Sequence, residues 1–424
     1  MRDAQEATDA ARRSVEAVWR IESSRIVAAL ARYTNDFALA EDVAQEALAE
    51  ALVAWPRDGQ PRDPLAWLLS VGRRRAIDTY RRRNSQDGAY AVIAGDTGAD
   101  DLPDSDPDLL WDPDRIEDDQ LALIFTACHP VLSKEARVAL TLRVVSGLTS
   151  DQIARAFLIP LPTLQARITR AKKTLAASRV DFALPPVEDR GERLGSVLNV
   201  LYLIFTEGST GSTGAEWIRA DLAREAIRLA RMLMQLVPGE PEAHGLLALM
   251  ELTAARFPAR TGANGEPVLL ADQDRGRWDR SAIRRGRAAL ASATSTGRGL
   301  GPYGLQAAIA ECHATASSVD ETDWERICVL YEALGRIAPS PIVELNRAVA
   351  VSMAYGAERA LPMVDELAAT DALSGSYLVP SVRGELLARL GRNDEAQHEF
   401  RLAANRCGNE KERGVLEQKA AALD

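Results

Sequence analysis

A helical face near the middle of the chain carries side chains that suit hydrogen bonding to nucleic-acid bases. Apolar residues recur there at i, i+4, i+7 and i+11, namely Leu164, Ile168, Ala171 and Leu175. This spacing predicts an amphipathic helix with one buried stripe. The opposite face comprises Gln165, Ala166, Thr169, Arg170 and Lys173. Glutamine suits adenine and arginine suits guanine through paired hydrogen bonds, which makes Gln165 and Arg170 the candidate base readers.

A second, shorter helix is predicted just before this one. Thr149 or Ser150 can cap it, Ile159-Pro160 ends it, and Thr163 can cap the helix that follows. A capped helix, a tight turn and a second helix with a basic outer face fit the major groove of DNA. The alternative is an ordinary helical hairpin whose basic face is solvated.

Further cations of this segment are expected to bind phosphates. Arg167, Lys172 and Lys173 lie on the same helix as the candidate base readers. Phosphate contacts fix the register of a protein on DNA without reading sequence. Residues 120–179 hold nine basic and two acidic side chains, a net charge of +7, which agrees with this interpretation.

Charge is distributed unevenly along the 424 residues, whose formal net charge is −10. Residues 84–119 hold twelve acidic side chains and one basic side chain. Residues 1–83 hold thirteen acidic and fourteen basic side chains. An acidic segment therefore separates a balanced module from a basic one. Residues 84–115 are also rich in Asp, Gly and Pro and have no apolar period, so they are predicted to form a flexible linker.

The balanced module carries two charged features of its own. Asp42, Gln45 and Glu46 are spaced at i, i+3 and i+4, which places them on one helix face. Farther along, two arginine clusters occupy residues 73–75 and 81–83. The residues alone also allow a plain alternative for the acidic triplet, a solvated helix face.

Two blocks of sequence resemble the extracytoplasmic-function (ECF) sigma factors, a branch of the sigma-70 family. The stretches NDFALAEDVAQEALAEALVAW (residues 35–55) and DPLAWLLSVGRRRAIDTYRRR (residues 63–83) resemble region 2 of that family. Residues 120–178 resemble its region 4, and the acidic segment lies where the family has its linker. Both blocks occur in the family's order.

The resemblance implies a role for each group of residues. Asp42, Gln45 and Glu46 would dock on the clamp helices of the largest polymerase subunit, and the polymerase flap would be a further contact. The loop over residues 56–64 would capture a base flipped from the minus-ten element, and Trp55 or Trp67 could stack on it, although Trp67 is the better core candidate. The implied minus-ten contacts are Trp55, Arg57, Arg62, Arg73, Arg74, Arg75, Arg81 and Arg82. The implied minus-thirty-five contacts are Thr163, Gln165, Ala166, Arg167, Thr169, Arg170 and Lys173.

The C-terminal half shows a different, repetitive pattern. Small and large residues recur at i, i+4 and i+7 in Ala226/Ala230/Leu233, Ala360/Val364/Leu367 and Ala396/Phe400/Ala403. This spacing is similar to the second helix of a tetratricopeptide repeat, and an irregular helical bundle is the alternative. Segments such as SPIVELNRAVAV (residues 340–351) resemble the ECF subgroup that has a tetratricopeptide-like extension.

These observations predict an all-α chain with four parts. Residues 10–83 are expected to form region 2, 84–115 the linker, 116–180 region 4 and 190–424 a regulatory extension that contacts regions 2 and 4 or polymerase. The predicted partners are core RNA polymerase and promoter DNA, and we expect no cofactor, no metal, no enzymatic activity and no membrane span. The four scattered cysteines are expected to be reduced core thiols, and the chain to stay in the cytoplasm.

Two other functions remain open at this point. The first is a helix-turn-helix transcription activator with a repeat sensor domain. It would use residues 133–178 in the same way but would leave the acidic triplet and the arginine clusters unexplained. The second is a protein-binding scaffold, which the basic module disfavours because phosphate contacts are the natural use of such a charge.

Overall fold

The structure is a computed structural model, and it describes residues 2–94, 116–157, 159–178, 180–209, 220–262, 268, 270–370 and 373–423. The chain divides into two compact units, Met1–Leu203 and Ile204–Asp424. Every regular element in the described ranges is a helix, which confirms the predicted all-α fold.

Eight α-helices begin within the described part of the first unit. They are α1 (Arg2–Thr34), α2 (Phe37–Asp58), α3 (Pro64–Ala94), α4 (Ile116–Ala127), α5 (Lys134–Val144), α6 (Ser150–Ala156), α7 (Leu161–Ala177) and α8 (Arg190–Ser209). Side-chain caps start several of them, because the first amide groups of a helix have no partner within it. Asp36 accepts the Leu39 amide at 3.0 Å before α2, and Ser133 accepts the Ala136 amide at 3.3 Å before α5.

Helix α3 changes the predicted linker. It continues to Ala94, so the part of the linker over residues 84–94 is helical rather than irregular. The polar residues of this stretch still form a helix because α3 propagates from an already formed helix, which costs less than nucleating a new one. Residues 95–115, the rest of the predicted linker, lie outside the described residues.

The beginning of α8 belongs to the first unit. Arg193 donates to the Phe125 carbonyl at 2.8 Å, and the Ser196 hydroxyl donates to the Cys128 carbonyl at 2.8 Å. Arg137 in turn donates to the Ser196 hydroxyl at 3.0 Å. The boundary between the units therefore falls inside α8, later than the predicted start of the extension at residue 190.

The second unit continues with ten described α-helices. They are α9 (Ala220–Leu236), α10 (Pro241–Ala254), α11 (Arg280–Ser295), α12 (Pro302–Thr315), α13 (Trp324–Ile337), α14 (Pro341–Tyr355), α15 (Ala357–Ala368), α16 (Leu378–Arg389), α17 (Asn393–Arg406) and α18 (Glu410–Ala421). The small-to-large positions predicted from the repeats are buried in α9 and α17, and in α15 all but Leu367 are buried. Their spacing places them on one face of each helix, and that face packs into the core.

The four cysteines, Cys128, Cys312, Cys328 and Cys407, are buried free thiols, as predicted. Burial raises the pKa of each thiol, and that of Cys128 rises to about 11. None of the described helices has both the length and the apolar character that a membrane span requires. The described residues also contain no group of three or more His, Cys, Asp and Glu side chains that could hold a metal ion.

Candidate nucleic-acid interface

Helices α6 and α7 form the predicted helix-turn-helix. The Thr149 hydroxyl accepts the Gln152 amide at 3.1 Å, and the Gln152 side chain accepts the Thr149 amide at 2.9 Å. This reciprocal capping box fixes the start of the short helix α6. The predicted stripe of α7 is buried and consists of Leu164, Ile168, Ala171 and Leu175. The buried stripe fixes the orientation of α7 about its axis, so the opposite face of the helix points outward.

The outer face of α7 is open to solvent. Its exposed residues are Thr163, Gln165, Ala166, Thr169, Arg170 and Lys173, and Arg167 is half-buried. One prediction about this helix is wrong, because Thr163 does not cap it. The helix begins at Leu161, after Pro160, and Thr163 lies in its first turn. Proline suits this end because its missing amide would have had no partner there.

A second cationic surface lies on α3. Arg74 and Arg75 each bind a carboxylate oxygen of Glu50 at 2.7 Å, and Arg75 lies 3.7 Å from a Glu46 oxygen. Arg73 lies over the Tyr33 ring at 5.5 Å. The side chains of Arg81 and Arg82, about two turns farther on, are exposed. The cluster at 73–75 is thus held by neighbouring helices, whereas Arg81 and Arg82 extend into solvent.

The loop between α2 and α3 is shorter than predicted, because α2 runs through Pro56 to Asp58. Gly59 ends the helix with φ +86°, a conformation that glycine adopts without strain, and its amide donates to the Trp55 carbonyl at 3.0 Å. Arg57 forms a two-fold hydrogen bond with Asp58 at 2.7–2.8 Å, and Arg62 is exposed.

The structure reverses the interpretation of the two tryptophans. Trp55 is only 3% exposed, and its ring meets that of Trp67 edge-on with centroids 5.7 Å apart. Trp67 is half-buried. Trp55 lies on the inner face of α2 and is a core residue, so the prediction that it stacks on a base is wrong; Trp67 is the ring that keeps partial access to solvent.

Asp42, Gln45 and Glu46 lie on α2 as predicted. Asp42 and Glu46 are exposed and Gln45 is half-buried. Two of the three are engaged, because Lys172 donates to Asp42 at 2.7 Å and Arg75 approaches Glu46. This acidic face is accessible but is already bound by cations of the same unit.

A buried ion triad that the sequence analysis missed lies beside this face. Glu41 is 3% exposed, and it accepts hydrogen bonds from Arg143 of α5 at 3.0 Å and from Lys172 of α7. Lys172, which was expected to hold a phosphate, is therefore withdrawn from the outer face of α7. Burial lowers the pKa of Lys172, but the carboxylates of Glu41 and Asp42 outweigh it, and the net shift is upward.

A sequence signal for this triad exists. Glu41 occupies the same helical stripe as Phe37, Ala44, Ala51 and Trp55, all of which are buried. A carboxylate within an apolar stripe needs a cationic partner, because an unpaired buried charge is costly. The identity of that partner cannot be deduced locally, since Lys172 lies 131 positions away.

Three further polar contacts join the two predicted modules of the first unit. Trp19 donates to the Gly147 carbonyl at 3.2 Å, and Gln120 donates to the Ser24 hydroxyl at 2.8 Å. Arg32 and Asp119 form an ion pair at 3.3 Å. Together with the triad, these contacts hold α4, α5 and α7 against α1 and α2.

His129, in the turn between α4 and α5, predicts a pH dependence of stability. Its Nδ1 accepts the Val131 amide at 3.1 Å, which requires an unprotonated nitrogen, and burial with nearby Arg193 and Arg137 lowers its pKa to about 4. Between pH 4 and 6.5 the unfolded chain therefore binds more protons at this site, so stability falls as the pH is lowered through that window. Thermal unfolding measured from pH 7 to 4 should show this loss.

His129→Asn is the matched variant, because its amide oxygen accepts the same hydrogen bond but does not titrate. We expect the melting temperature of this variant to fall less steeply with decreasing pH than that of the unchanged protein. His398→Asn, at an exposed site, should show the same pH profile as the unchanged protein. An identical pH profile for His129→Asn and the unchanged protein would contradict this assignment.

Comparison with known proteins identifies three segments. Residues 19–86 match sigma-70 region 2, residues 122–175 match sigma-70 region 4, and residues 193–294 match a family of unknown function (DUF6596). Region 2 followed by region 4 is the organisation of a sigma factor. The arginines of α3 lie in the first matched segment, and the helix-turn-helix lies in the second.

Relatives extend this result. Uncharacterized protein R00370 of Rhizobium meliloti (strain 1021) is 45% identical over 390 residues, which cover 92% of this chain and 90% of that protein. The probable ECF RNA polymerase sigma factor SigI of Mycobacterium tuberculosis (strain ATCC 25618 / H37Rv) is 28% identical over 182 residues, 42% of this chain and 59% of its own length. ECF RNA polymerase sigma factor SigK of Mycobacterium ulcerans (strain Agy99) is 26% identical over 156 residues, 36% of this chain and 78% of its own. No solved structure matches.

The chain belongs to the ECF RNA polymerase sigma factors of the sigma-70 family, in the subgroup with a C-terminal helical extension. This family consists of transcription factors that are not enzymes.

Proposed function

We propose that this sigma factor binds core RNA polymerase, recognises promoters through α7 and α3, and melts DNA at the start site. The observation that carries the proposal is the outer face of α7. Gln165 and Arg170 are exposed there, on the side of the helix opposite the buried stripe. The segment that contains them, residues 120–179, has a net charge of +7. Gln165 and Arg170 would read bases of the minus-thirty-five element, while Arg167 and Lys173 would hold phosphates.

The minus-ten element is assigned to α3 and the loop before it. Arg81 and Arg82 are exposed and would hold the backbone of the opened strand, and Arg62 lies in the loop that would receive a flipped base. Arg73, Arg74 and Arg75 would act from a surface already fixed by Glu50 and Tyr33. Arg57 would join them after leaving Asp58.

The polymerase is assigned to the acidic face of α2. Asp42, Gln45 and Glu46 would dock on the clamp helices of the largest subunit, and region 4 would meet the flap. Lys172 holds Asp42 in the present arrangement, so docking would require this ion pair to open. This ion pair is accessible to solvent, since the Asp42 side chain is 64% exposed. Water and salt can therefore weaken the attraction between Lys172 and Asp42.

The extension is assigned a regulatory role. We infer that it sets the activity of regions 2 and 4 through contact with them or with polymerase. The support is its attachment to the same chain and its charge: residues 180–424 hold 27 basic and 34 acidic side chains, a net −7 that complements the basic module. Helical repeats of this kind present surfaces that bind a partner or another part of the same chain.

Run-off transcription with purified core polymerase and a library of promoter fragments tests the function. The full-length chain is expected to direct initiation from a defined start site, and a chain ending at Ser209, which retains all of α8, is expected to show altered activity. Silence of polymerase, with binding of the full-length chain to duplex DNA alone, would instead support a helix-turn-helix activator. Equal transcription by both chains would remove the regulatory role of the extension.

A further inference from the structure

A cavity in the second unit has a wall of cationic groups. Its volume is about 320 Å³, and it lies between the segment after α10 and helices α16 and α18. Its ionisable lining comprises three cations, one carboxylate and one phenol, namely Arg256, Arg260, Lys419, Glu412 and Tyr377, and Gln273 and Ser381 add neutral polar groups. Val268, Leu270, Val415 and Leu416 supply the apolar part. The volume is at the lower end of the roughly 300–1,000 Å³ typical of small-molecule sites.

Arg256 is the unusual member of this wall. It is partly buried, and among the described residues no carboxylate forms an ion pair with it or raises its pKa. The charged groups that act on it are two other arginines, Arg260 and Arg275, so three guanidinium groups lie near one another. Burial together with these neighbours lowers the pKa of Arg256 to about 10, and the group therefore remains charged at neutral pH.

The neighbouring arginines are held by backbone carbonyl groups. Arg260 donates to the Ser209 carbonyl at 3.0 Å, and Arg275 donates to the carbonyls of His313 and Ala316 at 2.7 and 2.8 Å. These bonds fix both side chains but bring no negative charge. The excess positive charge of the cluster thus remains uncompensated within the described residues.

Elsewhere the same unit pairs its buried charges. Glu251 is 1% exposed and binds both Arg231 and Arg285, and Arg383 binds Asp365 and Glu399. An uncompensated buried charge destabilises a fold, and proteins tolerate it where a ligand supplies the counter-charge. Arg256 departs from this pattern at the wall of a cavity.

The other ionisable groups of the cavity are already engaged. Tyr377 donates to the Glu412 carboxylate at 2.7 Å, and Lys419 donates to Glu385 at 2.7 Å. Gln273 is 8% exposed and donates to the Val268 carbonyl at 3.0 Å, while its Oε1 has no hydrogen-bond partner. The cavity therefore offers a cationic end and a buried acceptor that can take a hydroxyl or amino group.

We propose that this cavity binds a small organic anion, whose carboxylate or phosphate group pairs with Arg256 and Arg260 and whose hydroxyl or amino group donates to Gln273. The planar guanidinium of Arg256 suits both oxyanions because each presents two oxygens to its paired N–H groups. The apolar side would pack on the carbon skeleton of the ligand. The extension would accordingly be a sensor of a soluble anionic compound.

Thermal unfolding of the full-length chain tests this site. The probes are inorganic phosphate, malate and glycerol at constant ionic strength, which separate a phosphate from a carboxylate and both from a neutral polyol. We expect a saturable rise in melting temperature with phosphate or malate and none with glycerol. Arg256→Gln should raise the half-saturating concentration at least about tenfold, as loss of a charge-assisted pair implies. Arg280→Gln, at an exposed site, should leave it unchanged.

Two further measurements separate binding from folding. Without anion, Arg256→Gln should melt at the same temperature as the unchanged protein or higher, because the change removes a partly buried charge that no described carboxylate compensates. Val415→Phe, which fills the cavity and keeps its charges, should also weaken anion binding. The absence of a saturable rise with either anion, or the same half-saturating concentration in Arg256→Gln and the unchanged chain, would overturn the proposal. None of these readouts involves polymerase, so they stand apart from tests of transcription.

Discussion

Replacing Glu41 with alanine is expected to lower the free energy of unfolding of the first unit by about 3–5 kcal/mol. The change removes the carboxylate shared by Arg143 and Lys172, whose side chains are only 17% and 14% exposed. Arg143 would then lack a carboxylate partner among the described residues, and Lys172 would keep only the exposed carboxylate of Asp42, so the desolvation of the two cations would be poorly offset. Amide hydrogen exchange of α2 and α7, with urea unfolding followed by circular dichroism, would measure the loss.

Glu16→Ala is the matched control, since it removes an exposed carboxylate from a neighbouring helix of the same unit. It should change stability by less than about 1 kcal/mol. Adding Lys172→Ala to Glu41→Ala should cost less than the sum of the two single changes, because the second removes a largely buried charge that the first left with only the exposed Asp42 as partner. A loss below about 1 kcal/mol for Glu41→Ala would mean that the triad behaves as a surface ion pair.

Replacing Arg170 with alanine is expected to weaken promoter binding by the polymerase complex by about 1–3 kcal/mol and to relax preference at one base pair. The reason is the loss of a two-fold hydrogen bond to a guanine edge in the major groove. Alanine is a good helix former, and among the described residues the Arg170 side chain hydrogen-bonds only to the Ala166 carbonyl of its own helix, at 3.4 Å, so α7 should remain folded. Competition binding against promoters altered at each minus-thirty-five position would measure both effects.

Two lysines provide the comparison. Lys173→Ala should weaken all promoter sequences alike and reduce the slope of log affinity against log salt by about one, as a phosphate contact does. Lys134→Ala, at an exposed site at the start of α5, should change neither quantity. If Arg170→Ala lowered affinity evenly for every sequence, Arg170 would be a phosphate contact, and base reading would rest on other residues of α7.

Local features of both units were predictable from the sequence, because they depend on residues within a few turns of one helix. The capping box of Thr149 and Gln152 and the buried stripe of α7 both follow from spacing along a helix. The small-to-large positions of α9 and α17 were found in the same way. Each needs only a residue type and a period of 3.6.

Features set by tertiary packing were not predictable. Trp55 and Trp67 lie on either side of one turn, and only the packing of α2 against its neighbours decides that Trp55 is the buried ring. The partners of Glu41 could not be identified from the sequence, because Arg143 and Lys172 lie more than a hundred positions away. The helical residues 84–94 were assigned to a linker because composition does not record that α3 extends into them.

The burial of the four cysteines has a practical consequence for labelling. A thiol reacts with maleimides as the thiolate, and burial raises the pKa of all four native thiols and limits their contact with reagent. A cysteine introduced on the exposed face of α7, as in Gln165→Cys, would therefore be the fast-reacting thiol of the folded chain. A dye attached there would follow the entry of α7 into a DNA groove without prior removal of the native cysteines.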